Sequence, residues 1–120
     1  MITIAHVRRM ALSLPEASEQ DHHGFPSFRV AGKIFATVPD AAHVHIMLPD
    51  THVEMAIGTS PHACEELWWG KRLSGVRVTL AAAQTTHLAM LLTSAWRLKA
   101  PARLGRTFPA SPPAARKGIS

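Results

Sequence analysis

FPSFRVAGKIFATVPDAAHVHIML, residues 25–48, reads as three short strands joined by two tight turns. Phe28 and Val30 share one face of the first strand, and Ile34, Ala36 and Val38 share one face of the second. In the third, Val44, Ile46 and Leu48 face one way and His43, His45 and Met47 the other. Alternation of this kind belongs to an antiparallel sheet packed on one side and open on the other. The first turn sets the register. A two-residue loop, Ala31-Gly32, would pair Val30 with Lys33 and Phe28 with Phe35, mixing the faces. A three-residue loop, Val30-Ala31-Gly32, with Gly32 left-handed in a bulge, pairs Arg29 with Lys33 and Phe28 with Ile34. The second keeps apolar with apolar and is the expectation. It sets two cations opposite each other, an arrangement that asks for an anion nearby.

Working outward, residues 3–14 predict a helix with Thr3 as N-cap and Ile4, Val7, Ala11 and Leu14 as one stripe, stopped by Pro15. Residues 16–24 (EASEQDHHG) read as a polar loop. Beyond the meander, Pro49-Asp50 opens a short helix to Ile57, with Thr51-x-x-Glu54 as a capping box and Gly58 as its stop. His62–Leu67 reads as a short edge strand or extended loop, and residues 68–72 (WWGKR) as a loop. Val76–Leu80 is a strand with Arg77 and Thr79 outward. Residues 84–99 form the longest helix, its apolar stripe made by Leu88, Leu91, Leu92, Ala95 and Leu98, with Trp96 beside it as a core residue. The expected architecture is one α+β domain over residues 1–100, an antiparallel sheet of four or five strands with helices on one face, in the order α-β-β-β-α-(β)-β-α. Residues 101–120, with four prolines and four cations, predict a flexible basic tail.

At 120 residues and 47% hydrophobic, the chain has the length and composition of a single globular domain. No apolar run approaches the roughly 18 residues of a membrane span, and arginines interrupt the N-terminal apolar residues, unlike a secretory signal. One cysteine, Cys64, allows no internal disulfide and suits a reducing, cytoplasmic setting. The net charge of +5 is uneven: residues 1–100 hold nine Lys/Arg against all eight acids, and the tail adds Arg103, Arg106, Arg116 and Lys117 with no acid. The basicity therefore lies mostly in the tail, and a near-neutral folded part weakens any argument from overall charge; DNA contact, where it occurs, is expected to be weak, non-specific and salt-sensitive.

Candidate chemistry is thin. Cys64 sits beside Glu65, which disfavours a thiolate. Asp21-His22-His23 suggests a base with an orienting carboxylate, but adjacent residues seldom aim at one atom, and the plainer reading is a loop leading into the first strand. His43-Val44-His45 puts two imidazoles on one strand face, yet a zinc site needs three or four ligands, so no metal is expected. No Gly-rich phosphate loop occurs, so no nucleotide cofactor is expected. Trp68 and Trp69 are harder to bury together, because neighbours in extended chain point opposite ways. What remains is a cationic set, Arg29, Lys33, Lys71, Arg72 and Arg77, on or beside the open sheet face as candidate phosphate contacts. A His/Trp set, His43, His45, Trp68 and Trp69, is the alternative for a small ligand. The same face could equally be a plain solvated surface or a protein contact.

The segment His22-His23-Gly24-x-Pro26-Ser27-Phe28-Arg29-Val30-x-Gly32-Lys33-Ile34-Phe35-Ala36 resembles the MmcQ/YjbR family. So do residues 11–17 (ALSLPEA), Leu48-Pro49, Val78-x-Leu80 and Ala95-Trp96-Arg97. The resemblance covers roughly residues 1–100. It implies a small α+β domain similar to double-wing DNA-binding folds and a DNA-binding role assigned largely by fold analogy, with no catalytic residues to carry over. The chain departs from the family where members often carry a Trp before the last strand and this one has Ser74-Gly75. The reading is a monomeric, non-catalytic domain that contacts DNA backbone non-specifically, with the small-ligand or protein-interaction roles as alternatives.

Overall fold

Three of the sheet's four hairpins turn on residues with positive φ. His23-Gly24 (φ 55° and 86°) and Ala31-Gly32 (φ 52° and 79°) are left-handed at both positions, and Gly70 (φ 65°) is left-handed ahead of Lys71. These are the primed turns whose twist matches that of paired strands. The computed structural model describes residues 1–107, with side chains through Leu104. Its strands are β1 (Ser18–His22), β2 (Phe25–Val30), β3 (Lys33–Asp40), β4 (His43–Met47), β5 (Cys64–Trp69) and β6 (Arg72–Thr79). They form one antiparallel sheet in the order β1-β2-β3-β4-β6-β5.

The helices are α1 (Ile4–Leu12), α2 (Asp50–Thr59), α3 (Thr85–Lys99) and α4 (Ala102–Thr107), with a 3-10 turn at Leu80–Ala82. Thr3 caps α1, its side chain accepting from the His6 N–H at 3.2 Å. For α2 the capping-box reading fails: Pro49 is the N-cap, Thr51 lies inside the helix, and Gly58 is passed before the end at Thr59. α3 packs on β2, β3 and β4, α2 on β5 and β6, and α1 on α3. Between them lies one core that includes Phe28, Val30, Phe35, Val44, Ile46, Val76, Leu88, Leu92 and Trp96, each at most 1% exposed. Full burial of Phe28, Phe35 or Trp96 contributes about 2–3 kcal/mol each before chain entropy. The Trp96 indole N–H reaches the Pro15 carbonyl at 2.9 Å, which ties α3 to the segment after α1.

The α+β class, the antiparallel sheet and the helical cover agree with the sequence reading, with six strands instead of four or five. The added strand is β1, within the expected loop; its residues are exposed except for a partly buried His22, so it has no apolar alternation to betray it. The β2–β3 register differs as well. Val30 pairs with Lys33 and Arg29 with Ile34, then a bulge brings Phe28 opposite Ala36. The loop is the two-residue Ala31-Gly32, and the bulge absorbs Phe35, so that Phe35 and Ala36 are both fully buried. The expected tail begins as a helix: in α4, Leu104 joins the core and Arg103 pairs with Glu16 at 3.0 Å. The remainder of the expected tail, from residue 108, lies outside the described residues.

Candidate nucleic-acid interface

Cross-strand partners point to the same side of a sheet, so the registers can be followed across all six strands. One open-face row runs Gln20, Ser27, Thr37, His45, Arg77, Glu65. Ser27 is fully buried within it, its hydroxyl donating to the Gln20 carbonyl at 2.9 Å and accepting from Arg29 Nε at 3.2 Å. Arg77 has acid on both sides. Glu65 is its partner on β5, and Asp40 Oδ2 lies 3.9 Å from the guanidinium. Asp40 also takes His43 Nδ1 at 2.9 Å and the Ala42 N–H at 2.7 Å. The His43 hydrogen bond, reinforced by that N–H, holds the Asp40 carboxyl below its ordinary range. Burial, with Arg77 and His43 nearby, pushes the His45 imidazole down, toward its neutral form, and its Nε2 is buried with no hydrogen-bond partner.

The expected cationic face therefore does not gather as one surface. Arg29 on β2 and Arg77 on β6 are three strand spacings apart, about 14 Å, more than a Debye length at physiological salt. Lys33 pairs with the core residue Val30 and so belongs to the opposite side of the sheet from Arg29. The expected opposition of Arg29 and Lys33 is replaced by Arg29 opposite Ile34.

Lys71 and Arg72 are brought to a different place, and the tryptophans go with them. The Gly70-Lys71 turn sets Trp69 opposite Arg72, and a bulge after Leu67 sets Trp68 opposite Leu73. Both tryptophans are 50% exposed. They line a groove of about 830 Å³ with Lys71, Arg72, Leu73 and Ser74, closed on the other side by Pro49 and Asp50 at the start of α2 and by Leu98 and Lys99 at the end of α3. The Trp68 indole N–H donates to Glu66 Oε1 at 3.1 Å, which fixes that ring. Lys71, Arg72 and Lys99 have no carboxylate partner among the described residues, whereas Arg8, Arg77 and Arg103 face Glu19, Asp40 and Glu16. Lys99 was not among the expected site residues; the helix end at residue 99 is as expected, but its packing beside the β5–β6 hairpin is not readable from helix periodicity.

The His/Trp set splits in the same way. His43 and His45 neighbour Arg77, while Trp69 neighbours Arg72, and five residues of β6, about 16 Å, separate those two arginines. Among the described residues no three His, Cys, Asp or Glu side chains come together as a metal site. Asp21 accepts from the Gly24 N–H at 3.2 Å and so shapes the β1–β2 turn. Cys64 is buried, and burial pushes its thiol up, away from a thiolate. No helix among the described residues is long and apolar enough to cross a membrane.

A six-stranded antiparallel sheet with this helical cover is a known α+β arrangement. The fold is similar to the crystal structure of Deinococcus radiodurans protein DR2400, which carries a DUF419 domain, with a TM-score of 0.69 and 18% identity over 95% of this chain and 85% of that one. The YjbR family model matches residues 12–98, and the chain belongs to the YjbR family. No curated protein matches it.

Proposed function

We propose that this YjbR-family chain binds DNA, non-specifically and through the phosphate backbone, as a monomer and without catalysis. The observation that carries the reading is the gathering of Lys71, Arg72 and Lys99, without acid partners among the described residues, around a groove with two half-exposed indoles. Arg106, Arg116 and Lys117 add charge beyond α3. Among the described residues no helix presents a basic recognition face, so contact is with phosphate rather than base edges. The footprint sits at the β5–β6 hairpin end rather than across the open sheet face.

Fluorescence anisotropy with a labelled duplex at about 50 and 200 mM salt tests it. Three to six phosphate contacts predict a log–log salt slope between about −3 and −5. Lys71→Ala with Arg72→Ala should weaken binding strongly, and Arg29→Ala with Lys33→Ala only slightly. Absence of binding at the lower salt, or affinity indifferent to salt, removes the reading.

A further inference from the structure

Resting on that reading, we infer that the groove takes unpaired nucleotides, so that single-stranded DNA is the preferred form. Trp68 and Trp69 are consecutive on the edge strand β5, each half-exposed, whereas the third tryptophan, Trp96, is wholly buried. An indole left half in water at the wall of a concave groove offers apolar ring surface that the described residues leave uncovered. Bases inside a duplex already stack on each other and cannot use such a face; unpaired bases can, whatever their identity. The hydrogen bond from Trp68 to Glu66 holds one ring in place before any ligand arrives. Lys71 and Arg72 at the hairpin turn and Lys99 at the end of α3 line the same groove as the indoles and supply the positive charge that the phosphates of a bound strand need. Asp50 and Glu66 are the acids at this site, fewer than the cations. A groove of about 830 Å³ lies within the roughly 300–1,000 Å³ of small-molecule sites. A space of that size admits single unpaired bases, one against each indole, and is too small to take a duplex.

The test compares a labelled twelve-nucleotide oligo(dT) with a duplex of equal length at low salt, using the full chain. Single strand should bind about tenfold or more tighter, and Trp68→Ala or Trp69→Ala should each cost about 5- to 100-fold for single strand. Trp68→Phe and Trp69→Phe, which keep a ring, should recover part of it. Oligo(dT) should also quench the exposed indoles while the buried Trp96 keeps its emission. Equal affinity for the two forms, unchanged by the tryptophan variants but weakened by Lys71→Ala with Arg72→Ala, overturns single-strand preference and leaves backbone binding standing. No binding to either form overturns both. Binding to anionic phospholipid vesicles with neither oligonucleotide bound would make this a membrane-surface site and overturn both as well.

Discussion

Gly75 occupies a point on β6 where a side chain has no room. A Cβ built there would lie 1.9 Å from the Ile46 carbonyl oxygen and 3.1 Å from the Leu48 N, backbone atoms in and just after the neighbouring strand β4. Gly75→Ala must therefore push β4 and β6 apart, and it should lower stability by about 3 kcal/mol or more, read from urea unfolding midpoints. His45 makes a second prediction at this scale. Its imidazole is held below the ordinary value of 6.5 by burial, so the unfolded chain binds the proton first. Its contribution to stability is complete above that ordinary value and is lost as the pH falls through the lower value in the fold. Unfolding midpoints at pH 7.5 and 5.5 should show this loss, and His45→Gln should reduce it. A residual loss is expected from His87, which burial shifts in the same direction.

The hairpins carry most of what could and could not be read in advance at the level of elements. Strand alternation placed β2, β3 and β4, because each buries one row against α3. The β2–β3 register was hidden. A bulge at Phe35 restores the facing that a two-residue turn would otherwise spoil, and a period-two reading carries no sign of the extra residue. The cost of that turn is Ala31 at φ 52°, where an L side chain is strained. Ala31→Asn, which suits the first position of such a turn, should raise stability by about 0.5–1 kcal/mol in thermal or urea unfolding. β1 was illegible for a different reason. Its side chains are mostly exposed, and it is held by backbone pairing with β2 and by the Arg8–Glu19 ion pair at 2.7 Å. Prolines around Ala102–Thr107 suggested a break with the fold, yet Leu104 is buried against the core and Arg103 pairs with Glu16, which holds that short helix to the domain.

Charge in the whole molecule is arranged by pairing more than by number. Cations in residues 1–100 barely exceed acids, and some are paired locally, Arg8 with Glu19 and Arg77 with Asp40. The sequence could show that Lys71, Arg72, Trp68 and Trp69 are adjacent. It could not show that the end of α3 delivers Lys99 to them, or that Arg29, Lys33 and Arg77 part company, because both depend on register and strand order. The central claim is that one groove, not the open sheet, meets DNA. An amide and indole NMR titration with oligo(dT) tests it most directly. The side-chain N–H signals of Trp68 and Trp69 and the amides of Lys71, Arg72 and Lys99 should shift, while the Trp96 indole and the amides of Arg29, His45 and Arg77 stay in place. Shifts concentrated on Arg29, His45 and Arg77, with both exposed indoles unmoved, would contradict it.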